Sequence, residues 1–375
     1  PFDGYEKKRI NLLSPSLNIE HVFGGIATAL KFYKQLGEAL GCDMRVIITD
    51  SILNENAMVE MDGYEIVSNK KDSTASKQIV VFSQRYNETI PVGKNDIFMA
   101  TGWWTAYTIL PVIKWQEVTY GVKNKLIYFI QDYEPGFYKW SSHYLLADST
   151  YKTNKADIIA IFNSKLLYEF FKENKYKFAY EYYFEPSLND KLKDYLMEHK
   201  DSFERKKKII FYGRPTTMRN CFELVVTALN EWVAIYDKAN EWEVISAGEE
   251  YSPVTLNNGQ KINVVGKLSL DDYAKMMLET KIGISLMVSP HPSYPPLEMS
   301  TFGIKVITNT YANKDLSSFN ENIISLDDCS AESIAETLVK LCDDENLNNN
   351  VVLGNEYVNG NNEWNEIIDN ITHIL

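Results

Sequence analysis

Short apolar runs alternate with stretches of helical period from one end of the sequence to the other. In the first half, Ile10–Leu13, Met44–Thr49, Ile79–Ser83, Ile97–Thr101, Leu126–Gln131 and Ile158–Asn163 read as strands. Between them, Ile26, Leu30, Tyr33 and Leu36 keep a helical spacing, and residues 105–115 and 165–173 read as helices. Strands joined through helices are parallel, because a parallel neighbour needs a long crossover, and the result is a doubly wound sheet. The alternation breaks over residues 182–204, a polar connector with the domain boundary placed between Pro186 and Asp201. It then resumes with strands at Lys208–Tyr212, Trp242–Ala247, Ile262–Val265, Ile282–Val288, Lys305–Thr308 and Asn322–Leu326, and helices at 220–236, 270–280 and 331–342. A chain of 375 residues is too long for one core. The fold class expected is therefore α/β, with two doubly wound, Rossmann-like domains: residues 1–190 and residues 191–362, facing each other across a cleft. The amphipathic segment 363–375 is expected to pack back on the first domain.

Composition removes several classes of function. A net charge of −13 argues against a nucleic-acid partner, which would need a basic stripe. Cys42, Cys221, Cys329 and Cys342 lie far apart with no C-x-x-C pair, so neither a disulfide framework nor a zinc site is indicated. The five histidines show no ligand spacing and no D-x-D sequence occurs, so no metal is expected. Neither G-x-G-x-x-G nor a Walker A sequence is present. With no secretory leader and no apolar run near the ~18 residues of a membrane span, a cytoplasmic protein is expected, touching at most the inner face of the membrane.

In doubly wound sheets ligands lie beyond the carboxyl ends of the strands. In the second half those ends carry Arg214 and Arg219 in YGRPTTMRN, Lys267 in VVGKLSL, and Glu298 in the stretch IGISLMVSPHPSYPPLEMSTFGIKVIT. Fixed cations with one carboxylate are what a diphosphate linked to a ribose requires. Pro295 and Pro296 suit a helix start, which would put Glu298 in the first turn. There it either accepts hydrogen bonds from sugar hydroxyls or only complements the helix dipole. In the first half, Gly24 and Gly25 stand at a helix start with His21 just before them. Trp103 and Trp104 follow one strand, and the loop QDYEPGFYKWSSHY, with Gln131, Asp132 and Tyr133, follows another.

Together the Gly24–Gly25 loop, the GR-x4-R element at Gly213–Arg219, VGKLSLDDYAKMM and PPLEMSTFGIKVIT resemble the retaining GT-B glycosyltransferases of family 4. The resemblance covers most of the chain and is most specific in the second half. It departs in three places. The first Glu of the family's Glu-x7-Glu pair matches Pro290, followed by His291, and Glu298 matches the second. Arg219 replaces a lysine, and Gln131 stands where an N-domain histidine is common.

With these departures the chain is more closely similar to bacterial β-1,2-rhamnosyltransferases of S-layer glycan. That likeness implies a dTDP-β-L-rhamnose donor on the C-terminal domain and a growing rhamnan acceptor, lipid-linked, on the N-terminal domain. Arg214 and Lys267 would hold the pyrophosphate and Glu298 the ribose, and these three are the expected catalytic residues. Arg219, Leu268, Tyr294, Pro295 and Gly25 complete the donor site. His21, Gly24, Trp103, Trp104, Gln131, Asp132 and Tyr133 form the acceptor site. The expected function is a retaining, metal-independent rhamnosyltransferase. Its alternatives are an inactive nucleotide-sugar or glycan-binding protein, separated by a donor-release assay, and a sugar-nucleotide epimerase, separated by acceptor-independent isomerisation.

Overall fold

The computed structural model describes residues 6–22, 24–71, 73–83, 88–360 and 364–375, which divide into two compact units. Unit 1 comprises residues 1–184 and 363–375, and unit 2 comprises residues 185–362. The change of unit thus falls a few residues before the expected boundary, ahead of the polar helix Asp190–His199.

The strands of unit 1 are β1 (Arg9–Ser14), β2 (Asp43–Ile48), β3 (Glu65–Val67), β4 (Lys77–Val81), β5 (Asp96–Ala100), β6 (Leu126–Ile130), β7 (Ile158–Phe162) and β8 (Tyr180–Tyr183). They form one eight-stranded sheet in the order β3-β4-β2-β1-β5-β6-β7-β8, parallel at every pairing. Strands covered on both faces read as continuous apolar runs, and β1, β5, β6 and β7 are buried at every residue. The edge strands β3 and β8 lie outside the strands expected from sequence, because most of their residues are exposed and carry no such run.

One face of the sheet is covered by helix Gly25–Leu40, closed by Gly41 in the left-handed region. The terminal helix Asn365–Ile374 packs beside it. Buried Trp364 anchors this return with edge-on contacts to Phe32 and Phe184 at 5.4 and 5.5 Å. At the amino ends of the strands, Asp96 accepts from Arg9 Nε at 2.7 Å and from Arg9 Nη2 at 2.9 Å. It also accepts from Asn11 at 3.1 Å and from the Gly93 N–H at 2.7 Å, and Arg45 Nη2 lies 3.5 Å away. Burial works against this carboxylate, but the two guanidiniums outweigh it and hold it below the usual carboxylate range.

Unit 2 contains β9 (Lys206–Gly213), β10 (Glu243–Gly248), β11 (Asn263–Gly266), β12 (Thr280–Ile284), β13 (Lys305–Asn309) and β14 (Ile323–Leu326). They form a six-stranded parallel sheet in the order β11-β10-β9-β12-β13-β14. Numbered within the unit this is 3-2-1-4-5-6, the order of a dinucleotide-binding sheet, whose direction of winding reverses between its first and fourth strands. Here those strands are β9 and β12. The ladder of β12 stops at Ile284, earlier than the apolar run to Val288 suggests. Beyond it the Asn309 side chain takes over, accepting from Met287 N–H at 2.7 Å and donating to Met287 O at 3.1 Å.

Candidate functional site

At the reversal point of unit 2 the chain leaving β9 meets the chain leaving β12. Gly213 ends β9 where a Cβ would run into Ser246 Oγ of β10. Gly248 has φ 141°, and a Cβ there would lie 2.7 Å from Gly213 O. This close approach sets the base of Arg214, whose Nε donates to Glu249 Oε1 at 3.1 Å. Glu249 also accepts from the Thr216 N–H at 3.0 Å and its hydroxyl at 2.8 Å. Burial raises the Glu249 carboxyl, but the Thr216 bonds and the Arg214 charge outweigh it and hold it below its ordinary range. Since the pair engages Nε, the terminal amino groups of Arg214 are left for another anion. Glu249 is a residue that sequence reasoning missed: in AGEE nothing distinguishes it from a solvated acid.

Arg219 sits on the turn Met218–Asn220, and its carbonyl accepts from Val288 N–H at 2.8 Å. Asn220 donates to Leu286 O at 3.3 Å. The Arg214–Arg219 loop and the loop after β12 are thus stitched together. Buried Lys314 adds a bond from Nζ to Met287 O at 2.6 Å.

The loop then enters helix Tyr294–Thr301 through Ser293, a non-glycine residue at φ 70°, ψ 145°. That backbone region is essentially reserved for glycine, and occupying it costs on the order of 1–3 kcal/mol. It is held by buried His291: Ser293 N–H donates to His291 Nδ1 at 3.0 Å, and His291 N–H donates to Ser289 Oγ at 3.0 Å. The helix therefore begins one residue before Pro295, and Glu298 is its fifth residue rather than a member of the first turn. This corrects the expected placement and removes the reading of Glu298 as a dipole-complementing acid. With Ser293 N–H committed and no N–H on Pro295 or Pro296, the first turn of this helix offers an anion few backbone donors.

Glu298 accepts a hydrogen bond from Tyr273, and the rings of Tyr294 and Tyr357 stand in the same enclosure. Burial raises its carboxyl to about 7, against the lowering effect of the Tyr273 bond. Tyr273 lies on helix Leu270–Glu279, which follows directly on Lys267 and half-buried Leu268 after Gly266. Lys267 itself is exposed at the end of β11, two strands from β9, or roughly 10 Å at about 4.8 Å per strand. Arg214, Arg219, Tyr294, Pro295 and Glu298 thus gather on adjoining segments, whereas Lys267 reaches them only across the end of β10.

In unit 1 the reversal lies between β1 and β5. Gly24, at φ 50°, precedes helix Gly25–Leu40, and the Gln131 side chain lies where a Cβ on Gly25 would stand. Gln131 Oε1 is enclosed against Gly25 and has no hydrogen-bond partner among the described residues. Exposed His21 meets Ser16 Oγ at 3.2 Å, and Ser51 donates to the same oxygen at 2.9 Å. Trp104 Nε1 donates to Asp50 at 2.8 Å.

Three other residues expected here are bonded within unit 1. Trp103 is buried, with its N–H on Glu134 at 2.6 Å and its indole on Tyr138 at 2.8 Å. Asp132 is buried and accepts from Tyr133 N–H at 2.8 Å. Tyr133 bonds Tyr144 and Tyr176 at 3.3 and 3.0 Å, and its ring packs on Phe170. Among the described residues no group of three or more His, Cys, Asp or Glu is placed to hold a metal ion, and no helix is long and apolar enough to cross a membrane.

Two family models match the chain: WsaF, N-terminal domain, over residues 9–165, and WsaF, C-terminal domain, over residues 207–339. The O-antigen biosynthesis protein RfbC of Myxococcus xanthus is 31% identical over 231 residues, 61% of this chain and 17% of that protein, so the match spans about a sixth of the relative's length. Among solved structures, sucrose-phosphate synthase of Thermosynechococcus elongatus superposes with a TM-score of 0.59 at 12% identity over 98% of both chains. WaaG, a glycosyltransferase of lipopolysaccharide biosynthesis, superposes with 0.52 at 11% identity over 89% of this chain and 90% of its own. At such identities the likeness establishes the fold, two parallel α/β domains of the GT-B type.

Proposed function

The chain belongs to the WsaF family of GT-B glycosyltransferases, and on that premise we propose that it extends a cell-surface glycan by moving L-rhamnose from dTDP-β-L-rhamnose to a lipid-linked rhamnan acceptor. The observation that carries this reading is the meeting of the Arg214–Arg219 loop, the His291–Ser293 loop and half-buried Glu298 at the reversal point of the unit 2 sheet. A nucleotide diphosphate fits that place: guanidiniums for the pyrophosphate, and a desolvated carboxylate for the ribose hydroxyls. The acceptor belongs to unit 1, with Gln131 Oε1 and the Asp50–Trp104 pair as its polar contacts.

In this mechanism the bond between the anomeric carbon and the departing phosphate oxygen breaks as the acceptor oxygen bonds to the same face, retaining configuration. The acceptor proton passes to the departing phosphate oxygen. Arg214 and Arg219, with Lys267 reaching in from β11, take up the charge that grows on the diphosphate, so the side chains themselves can supply what a metal would.

Thermal unfolding with dTDP, UDP and GDP tests the donor. At a hundred times its Kd, dTDP stabilises the chain by about 2.7 kcal/mol, and UDP and GDP do so less. Equal shifts from all three, or from none, defeat the donor assignment. An inverted product linkage by NMR defeats retention.

A further inference from the structure

Unit 1 contains a cavity of about 660 Å³, within the ~300–1,000 Å³ range of small-molecule sites. Leu13, Ile47 and Phe82 line it from the sheet side, and helix Trp103–Tyr120 supplies a wall. That helix is mostly apolar with no single apolar stripe: its only charged residues are Lys114 and Glu117, which pair with each other. A helix of this kind belongs inside a core. Here, however, Trp115 and Val118 are exposed. Thr108, Pro111, Val112 and Trp115 follow the i, i+3, i+4, i+7 spacing and all line the cavity, so one stripe of the helix is given to it. Pro111 has no N–H, which deprives the Tyr107 carbonyl one turn earlier of its helical bond and leaves an acceptor beside the wall.

One end of this chamber adjoins the polar groups already described. Thr49 lines it and is followed directly by Asp50, which accepts from Trp104; Thr108 lines it and donates to Trp104 O at 2.8 Å. The lining is mainly apolar, with Thr49, Lys70, Glu88, Thr89 and Thr108 as its polar members, so a free sugar or nucleotide lodged wholly inside would set most of its hydroxyls against carbon. An amphiphile fits both parts. We propose that the cavity takes the alkyl or prenyl chain of an amphipathic acceptor whose sugar lies against the Asp50–Trp104 pair. This rests on the glycosyltransferase reading above and narrows it. The reacting sugar lies within a residue or two of the apolar chain, so lipids bearing a short glycan are the preferred acceptors.

Calorimetry on the full chain with methyl, hexyl, octyl and decyl rhamnosides, each below its micellar concentration, tests this. Affinity rises about fourfold per methylene in the wild type, as burial of a CH₂ predicts. Val112→Trp narrows the cavity and weakens decyl rhamnoside binding at least tenfold while leaving the methyl glycoside unchanged. Trp115→Ala, on the exposed rim, weakens decyl binding at least threefold while leaving the methyl glycoside unchanged. Absence of chain-length dependence, or the same dependence in the wild type and both variants, overturns the proposal. Chain-length-dependent binding that both variants weaken, in a protein that dTDP does not stabilise, upholds the cavity assignment and removes the donor reading instead.

Discussion

Glu298→Gln isolates the cost of holding a carboxylate in the donor site. Its carboxyl rises from an ordinary 4.5 to about 7 because burial penalises the charged form. At 1.36 kcal/mol per tenfold, that gap makes ionised Glu298 cost the folded chain at most about 3 kcal/mol. The direction follows from proton binding. Between pH 4.5 and 7 the folded chain holds a proton that the unfolded chain has released, so stability falls as pH rises through this window and is level above it. Glutamine removes the charge and still accepts from Tyr273. Urea unfolding from pH 4.5 to 8 should therefore show the variant gaining on the wild type by up to about 3 kcal/mol, with most of the gain before pH 7. Asp96, Glu249 and Glu279, whose carboxyls are lowered, titrate alike in both proteins and cancel in the difference. Wild-type affinity for dTDP should also rise with pH through 7, as the ionised acceptor forms, and that of the variant should not. Parallel stability curves would refute the desolvation of Glu298.

Arg214→Ala and Lys267→Ala should each lower turnover on the order of a hundredfold, as for loss of one donor to a developing charge, with steady-state rates as the check. Ser293→Gly should stabilise unit 2 by about 1 kcal/mol in urea unfolding, since glycine accepts φ 70° and the Ser293 side chain makes no capping bond. Asp96→Asn should cost about 3–5 kcal/mol by removing the carboxylate between two buried arginines. Because the Asp96 carboxyl is lowered, its contribution is present at neutral pH and lost as pH falls through the folded value. The variant should therefore show a shallower acid limb in the same titration.

The interior strands were legible because burial on both faces writes them as unbroken apolar runs, as in IIAIF and LIYFI. β3 and β8 were not, because an edge strand made of EIV or YEYY owes its place to a neighbour's free hydrogen bonds rather than to its own pattern. The start of the helix at Tyr294 was misplaced for a related reason. The proline rule sets the first turn at Pro295, but a long-range arrangement of buried His291 and strained Ser293 sets it one residue earlier. In the site, Arg214 could be read as a cation at a strand end. Tyr273 and Tyr357 could not, because they lie far from Glu298 in sequence and tyrosines in helices read as core. Conversely, the pattern that offers Trp103 and Tyr133 to a ligand suits packing equally well, and their bonds to Glu134, Tyr138 and Tyr176 come from residues that sequence spacing does not bring together.

Strain and disfavoured charge at the carboxyl ends of the sheets point to the same place as the strand-end cations. At the amino ends of unit 1, Arg9, Asn11, Arg45 and Asp96 are buried in a dense set of short bonds that no ligand needs to complete. The carboxyl ends hold groups of another kind. Gln131 Oε1 is enclosed without a partner among the described residues, Ser293 occupies a backbone region natural to glycine, and Glu298 is held where its charge is disfavoured. Packing alone would remove each of these, since a smaller residue, a glycine or a glutamine would serve better. Their concentration at strand ends, where bound groups can supply the missing partners, is what a chain built to hold a nucleotide-sugar and an acceptor requires.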